Sequence, residues 1–439
     1  MSRHRRLRSS MDSTPLKVTI VGAGIGGLAA AIALRRAGHV VQIFESSQNK
    51  TEVGAGLALQ ANALRVLNVF GIRRENLKGA TFAGFNIRDA VTGQGASTVW
   101  TDFAEAATDE LKPLTCHRSD IHDELKRLAT SSLSGSESEF HGLGPPAALH
   151  LGSKVVACDP ATGSITLANG EVVTADLVIG ADGVRSTIRT SILGGTPVVP
   201  LSKWSCYRCL LDASNLAAYP QLSWLTDSDE GAVDGPWNID TKGDFAIFFV
   251  YFLRGTKALN FVALHYDPEQ QGKPYIQPAT KADILTAFSD VHDKFKALLD
   301  LPTLPQGTTT PAPPPIQVWR LLAVPPLPTW TNARALIMGD AAHGTLPTLG
   351  QGAAMAIEEA ATLGCLLPLG TTAADVSRRL EAFEELRKAR GEFVNRHSVE
   401  QGMPETRNFL ANQQGIREYI IDHDAIQTAQ EYYNTHFAA

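Results

Sequence analysis

Two textures of apolar and polar residues alternate along this chain of 439 residues. In residues 16–45, LKVTIVGAGIGGLAAAIALRRAGHVVQIFE, a β-branched run (KVTIV) meets a glycine-rich turn. An alanine- and leucine-rich stretch follows, stopped at Gly38, and then a second apolar run, VVQIF. This predicts strand, turn, helix and strand. Apolar side chains at helical spacing over 61–71 (ANALRVLNVFG) predict a helix ending at Gly71, and RSDIHDELKRLA (118–129) predicts another with Ser119 as its N-cap. Residues 131–152, rich in Ser, Gly and Pro, read as a surface loop. KVVACD, GSITLANGEVV and ADLVIGADG read as short strands, with a hairpin turn at Asn169–Gly170.

Between about 200 and 330 the pattern becomes aromatic and β-prone, in KWSCYRCLL, DFAIFFVYFLRG and ALNFVALHY. A Pro/Thr-rich linker, GTTTPAPPP (307–315), comes next, and ARALIMGDAAH restores the first texture. From Asp375 onward the chain is charged and helical. The expected class is α/β. A Rossmann-like nucleotide-binding domain (16–199 and 331–374) is interrupted by a β-sheet domain (200–330) and followed by a C-terminal helical segment (375–439). Residues 1–15 read as a disordered basic extension. MSRHRRLRSS lacks the apolar core of a secretory signal, and a targeting role for it stays open.

Composition narrows the partners. A formal net charge of −6 argues against nucleic acid or an anionic membrane as the ligand. The five Cys are odd in number and scattered, which points to a reducing, cytoplasmic setting rather than a disulfide framework. No apolar run is long enough to predict a membrane span.

Three motifs carry chemistry. In Gly22-Ala-Gly24-Ile-Gly26-Gly27 the first two glycines of the pattern permit a tight turn and close approach to a pyrophosphate. Gly27 lets the helix pack on the strand, and the helix N-terminus offers N–H groups and a positive dipole end. Glu45 ends the second strand, placed to accept from a ribose diol; an acid there favours FAD or NAD over NADP. In DLVIGADGVRSTIR (176–189), Asp182 sits in a turn before a helix that Ser186 can cap; a structural turn and a ligand site are both open. In GDAAHGTLPTLGQGA (339–353), Asp340 stands at the carboxyl end of a predicted strand, where α/β sheets bind ligands, and is suited to accept from a sugar or ribityl hydroxyl. Pro347, Gly350 and Gly352 shape bare backbone leading to another helix start. His343 reads as a turn histidine or a minor contact rather than half of a catalytic dyad. Cys206 and Cys209 lie in a strand-like run, which sends their thiols to opposite faces, so no metal site is expected.

The order of these motifs, with Arg118 before a helix, resembles the single-component FAD-dependent aromatic hydroxylases of the p-hydroxybenzoate hydroxylase fold family. Through CYRCLL and VWRLLAVPPLPTWTNARALIMGDAAH it is most similar to their salicylate-hydroxylase-like branch. The likeness spans roughly residues 16–400. It implies that Gly22, Gly24, Gly27 and Glu45 hold the ADP half of FAD, and that GAGLAL (54–59) runs past the flavin with Gly56 and Ala58 near it. It implies that Arg118 contacts FAD beside the pyrophosphate and ribityl chain, that Asp182 serves FAD and NAD(P)H, and that Asp340 binds FAD. Gly352 and Ala353 would start the helix beneath the flavin ring. NADH or NADPH would be met transiently, since the sequence has a single dinucleotide fingerprint. The implied cycle passes a hydride to FAD, captures O2 as a C4a-hydroperoxyflavin, and transfers OH to an electron-rich aromatic carbon.

Such a substrate is activated as a phenolate, which a nearby cation favours. Arg208 in SCYRCLL is the candidate. Its partner in the related dearomatising hydroxylases is a Tyr from a later strand; Tyr251 fits a downstream strand, while Trp237 lies nearer the expected position. The expected activity is NAD(P)H- and O2-dependent hydroxylation of a phenol or hydroxybenzoate. Dearomatising or decarboxylative hydroxylation, an FAD oxidase or dehydrogenase without NAD(P)H, and a non-enzymatic flavoprotein are the alternatives. A monomer or homodimer is expected.

Overall fold

The computed structural model describes residues 14–48, 56–81, 84–94, 97–99, 108–132, 144–198, 200–226, 232–239, 245–253, 257–270, 272–305, 314–402 and 414–438. The basic extension up to residue 13 and most of the 307–315 linker lie outside them. The first half runs β1 (Lys17–Val21), α1 (Ile25–Arg36), β2 (Val40–Phe44), β3 (Gly56–Leu59), α2 (Ala61–Val69), β4 (Ala80–Thr81), β5 (Gly84–Asp89) and β6 (Ser97–Val99). It continues with β7 (Leu114–His117), α3 (Arg118–Thr130), β8 (Ala148–His150), β9 (Val155–Asp159), β10 (Ser164–Leu167), β11 (Val172–Thr174), β12 (Leu177–Gly180) and α4 (Thr187–Ile192). The second half runs β13 (Leu201–Asp212), β14 (Ala232–Ile239), β15 (Phe245–Leu253), β16 (Ala258–Tyr266), β17 (Ile276–Pro278), α5 (Lys281–Ala287), α6 (Asp293–Lys296) and β18 (Gln317–Ala323). It ends with β19 (Thr331–Asn332), β20 (Ala335–Ile337), α7 (Asp340–His343), α8 (Gly352–Leu366), α9 (Val376–Gly402), α10 (Gln414–Ile421) and α11 (Ala425–His436).

The first texture builds a six-stranded sheet in the order β19-β20-β12-β1-β2-β8, parallel apart from β19. β12 and β20 are buried throughout and β1 over four of its five residues, as expected where helices cover both faces of a parallel sheet. α1 and α8 meet through small side chains. A Cβ added at Gly364 would lie 3.1 Å from the Ala33 Cβ, and one at Gly26 would lie 3.1 Å from the Ala356 Cβ. The alanine run of α1 thus sets how closely two helices approach, and bulk there would separate them.

The second texture builds an eight-stranded sheet, ordered β17-β18-β13-β16-β15-β14-β5-β6. Its strands alternate. One face sends Cys206, Val262, Leu264 and Ile247 into a small apolar cluster, and the other sends Cys209, Leu211, Phe248 and Phe261 under α5 and α6. Cys206 and Cys209 therefore sit on opposite faces as three-residue spacing in a strand requires, and burial pushes the Cys209 thiol up to about 12. All five cysteines are free.

Three readings change. The 131–152 stretch supplies β8, which pairs in parallel with β2 and stacks His150 on Phe44 at 4.7 Å; a three-residue edge strand is too short to show a period. α3 begins at Arg118, so its cap is His117, whose Nδ1 accepts the Ser119 N–H at 3.2 Å. The end of β7 places that boundary, not the local capping preference. Finally, β5 pairs in parallel with β14, so residues 84–99 complete the second sheet although they fall within the 16–199 stretch.

Candidate active site

The turn between β1 and α1 is shaped by what glycine alone permits. Gly22 has φ +99°, and a Cβ on it would lie 2.3 Å from the Ala181 carbonyl oxygen. A Cβ at Gly27 would lie 2.0 Å from the Gly22 oxygen, whereas one at Gly24 would meet nothing within 4 Å. Gly22 and Gly27 are thus fixed by close packing inside the protein, and Gly24, the N-cap of α1, presents bare backbone to open space. Glu45 is held from both sides: Oε2 accepts the Ala23 N–H and Oε1 the Ser47 N–H, each at 2.9 Å. These bonds orient the carboxylate at the strand end.

Two cavities meet at this turn. The one of about 540 Å³ is lined by Gly22, Gly24, Glu45, Arg118 and Asp182, with Arg185, Lys154 and Trp319 also in its wall. The one of about 370 Å³ is lined by Gly24, Gly56, Ala58, Arg118, Asp340, Gly352 and Ala353. Its far side is the second sheet, through Arg208, Phe249, Tyr251 and Val262. Gly24, Arg118, Ala181 and Gly183 border both. Every site residue read from the sequence therefore borders one of these cavities except Gly27, which lies beneath them as a packing residue. The 2.0 Å clearance fits its reading as the residue that lets the helix pack on the strand.

Asp182 carries a structural duty as well. Its carboxylate accepts from Ser186 Oγ at 2.5 Å and from the Thr187 and Ile188 N–H groups at 2.7 and 3.2 Å, and burial raises its pKa. Ser186 caps α4 by accepting the Arg189 N–H. The turn is a capped helix start, and Asp182 also stands in the wall of the larger cavity.

Asp340 is exposed at the first turn of α7, directly after Gly339, whose φ of +57° makes the bend. The bend is fixed from behind by Glu359, a fully buried residue of α8 that sequence reasoning missed. Its Oε2 accepts the Gly339 N–H at 2.7 Å and its Oε1 lies 2.6 Å from His343 Nε2. Burial pulls the His343 imidazole down, yet the Glu359 carboxylate raises it overall. His343 lines neither cavity and packs on Trp330 at a ring distance of 5.2 Å. It acts as an anchor and is hydrogen-bonded to a side chain, not to the turn backbone.

The neighbouring Glu358 was missed too. It accepts from Arg387, from Arg390 through two nitrogens, and from Asn62, all within 2.8 Å. Burial alone would raise its pKa, but the two guanidiniums overcome this and hold it at about 2. Adjacent buried carboxylates thus tie α8 to α9 on one side and to the Gly339 bend on the other, which aims the N-terminus of α8 at the cavity. The only sequence signal was an acidic pair, IEEAA, inside an otherwise apolar helix.

On the second sheet, Arg208 and Tyr251 project from β13 and β15 on the face that meets the first domain. Val262 of β16 pairs with both Arg208 and Phe249, and Asn260 pairs with Leu210 and Tyr251. Arg208 Nε donates to Cys206 Sγ at 3.4 Å, and its guanidinium lies 5.4 Å from the Trp319 ring. Burial raises the Tyr251 pKa, Arg208 opposing it, so the phenol stays protonated. Tyr251 packs on Gly56, where a Cβ would lie 2.6 Å from its ring, and Asn260 Oδ1 accepts the Gly56 N–H at 2.8 Å. Trp237 stands opposite Ile247 in the backbone register of β14 and β15.

Comparison with known proteins follows this geometry. Residues 16–197 match the family described as pyridine nucleotide-disulphide oxidoreductase, and residues 315–398 match the family described as FAD binding domain. Hispidin-3-hydroxylase of Neonothopanus nambi is 40% identical over 417 residues, covering 93% of this chain and 94% of its own. The chain belongs to the single-component FAD-dependent aromatic hydroxylases. The FAD-dependent monooxygenase cfoG of Aspergillus candidus is 33% identical over 399 residues, 88% of this chain and 85% of that one. In fold, the chain is similar to a salicylate hydroxylase solved with its substrate, at TM-score 0.72 and 23% identity over 96% of this chain and 98% of that one.

As a member of this family the protein is a flavin-dependent monooxygenase with FAD as cofactor and NAD(P)H as co-substrate. The residues present fit such a group. Added Cβ atoms at Gly24, Gly183 and Gly350 would meet nothing within 4 Å, leaving bare backbone at the cavity walls. Two long helices, α1 and α8, begin at residues bordering the cavities. Among the described residues no helix is long and apolar enough to cross a membrane.

Proposed function

We propose that the protein hydroxylates a phenolic aromatic bound as its anion between Arg208 and Tyr251, with FAD lying along the two joined cavities. The observation that carries this reading is that the cavity at the Glu45 end and the cavity at the Arg208–Tyr251 end adjoin, sharing Gly24, Arg118, Ala181 and Gly183 in their walls. In this reading Glu45 receives the ADP ribose and Gly22 and Gly24 shape the pyrophosphate turn. Arg118 neutralises phosphate charge, Asp340 accepts from the ribityl chain, and Gly56, Ala58, Gly352 and Ala353 pack against the ring system. FAD, when bound, supplies hydride acceptance from NAD(P)H and activation of O2 for transfer of one oxygen atom. The chain's own part is binding, orientation and charge. The Arg208 cation lowers the pKa of a phenol placed beside it, and Tyr251, held protonated, donates a hydrogen bond to the same oxygen. Phe249, Val262 and Leu346 keep water from the reacting carbon. The N-terminus of α8 favours negative charge on the reduced ring.

A second reading, dearomatising hydroxylation, is favoured by the shared cavity of Arg208 and Tyr251. The two readings differ in product, not in site. Five free thiols accord with a cytoplasmic enzyme, read here as a monomer or homodimer. The test is incubation with NADH or NADPH, oxygen-18 and a panel of hispidin, salicylate and 3-hydroxybenzoate. The expected result is accelerated NAD(P)H consumption by one member and a product carrying one oxygen-18 atom, its mass and ring absorbance separating aromatic, decarboxylated and dearomatised outcomes. No acceleration by any member would overturn the substrate class. Bleaching of the flavin by substrate alone without air would point to an oxidase.

A further inference from the structure

The Arg208 guanidinium is the near end of a chain of cation–ring and edge-on ring contacts. It lies 5.4 Å from the Trp319 ring, Trp319 meets Tyr275 edge-on at 5.8 Å, and Arg185 lies 5.0 Å over the other ring of that pair, Tyr275. The backbone fixes the middle of the chain. Trp319 of β18 pairs with Cys206 of β13 on one side and with Ile276 of β17 on the other. The Tyr275 carbonyl accepts the Arg320 N–H at 2.9 Å, and Trp319 Nε1 donates to Gln317 at 3.1 Å. The far end, Arg185, is exposed and belongs to the turn after Asp182 and Gly183. Arg185 and Trp319 both border the larger cavity, whereas Arg208 borders the smaller one.

We propose that Trp319, Tyr275 and Arg185 are positioning residues for Arg208, forming a chain of ring contacts that ties the substrate-binding cation to the turn walling the larger cavity. A long guanidinium side chain facing a cavity has many rotamers to lose on binding an anion. An aromatic face beside it restricts those rotamers before substrate arrives, and a cation over a π face is attracted more strongly away from water. Tyr275 in turn is held between the Trp319 edge and the Arg185 cation. A residue outside the substrate cavity thereby influences phenol affinity. The inference rests on the reading of Arg208 as the phenolate's partner.

The test uses the FAD-loaded full chain carrying Trp319→Leu, Trp319→Phe, Arg185→Met, Arg185→Lys and the Trp319→Leu/Arg185→Met pair. The phenol is the panel member that accelerates NAD(P)H consumption, and its Kd is read from the flavin absorbance change. Trp319→Leu is expected to weaken binding about tenfold and Trp319→Phe about threefold. Arg185→Met is expected to cost about threefold, with Arg185→Lys restoring affinity to within about twofold of wild type. The double variant should bind within about twofold of Trp319→Leu alone, because the chain is already broken. A Trp319→Leu affinity within twofold of wild type, failure of Arg185→Lys to rescue, or a double variant showing the product of the two losses would each overturn the chain. Should Trp319→Leu not fold, Tyr275→Leu breaks the adjacent link and carries the same expectations. A substrate-free arm follows phenylglyoxal modification of Arg208 by peptide mass mapping. Several-fold faster labelling in Trp319→Leu is expected, and an unchanged rate refutes the positioning role. If no panel phenol binds at all, the labelling arm alone decides this inference, and the failure falls on the proposed substrate class.

Discussion

Replacing Glu358 by Gln removes the charge from a carboxylate with no solvent exposure, and leaves Arg387 and Arg390, 1% and 3% exposed, without their anion. Losing one partner of a buried ion pair costs about 3–5 kcal/mol, because the remaining charge stays desolvated. The lowered Glu358 pKa points the same way, because the two guanidiniums overcome burial and favour its charged form. Against a total stability of about 5–15 kcal/mol, the variant should fold but unfold at clearly lower urea. The folded-state pKa is depressed, so this contribution is present above the ordinary carboxyl range and is lost as pH falls from 4.5 toward about 2. Wild type should therefore lose stability more steeply than Glu358→Gln between about pH 5 and about pH 3. Because Glu358 ties α8 to α9, the variant should also release FAD more readily on gel filtration. Urea unfolding followed by tryptophan fluorescence at several pH values is the assay. A variant within about 1 kcal/mol of wild type at neutral pH, with the same acid dependence, would refute the reasoning.

Gly56→Ala would place a Cβ 2.6 Å from the Tyr251 ring and 2.7 Å from its hydroxyl. Overpacking of about 1–3 kcal/mol should displace that ring and weaken phenol binding to the FAD-loaded fraction roughly five- to a hundredfold, as read by flavin titration; unchanged affinity would remove Tyr251 from the site. Asp340→Ala should lose most FAD during purification, measured by absorbance, and full retention would count against its role at the ribityl chain. Arg208→Ala should keep FAD but bind phenol about ten- to a hundredfold more weakly and uncouple NAD(P)H consumption from product; normal coupling would exclude it.

Much of the nucleotide half was legible because its signals are local. Gly22 and Gly38 adopt positive φ, Ser186 does cap its helix, and Gly170 turns its hairpin, since in each case the backbone conformation is set by residues a few positions apart. Arg208 and Tyr251 were readable one at a time, from a strand-like run and a family resemblance. That they share a cavity follows from their standing on one face of a sheet, two strands apart. Glu359 left no comparable sign. Its partners, Gly339 and His343, sit far enough back along the chain that no short-range pattern links them, and only the approach of α8 to the Gly339 bend brings them together.

By itself the sequence determined the βαβ turn, the alternation of an α/β texture with a β-rich one, and which residue types could meet a dinucleotide and a phenol. Each of these is a matter of backbone preference or short-range period, written within one element. The tertiary structure decided that β5 and β6 join the second sheet and that His343 serves Glu359. It also decided that Trp319, Tyr275 and Arg185 line up behind Arg208. These depend on which faces meet across the interface of the two sheets, and that is settled only when burial of both apolar faces is satisfied at once.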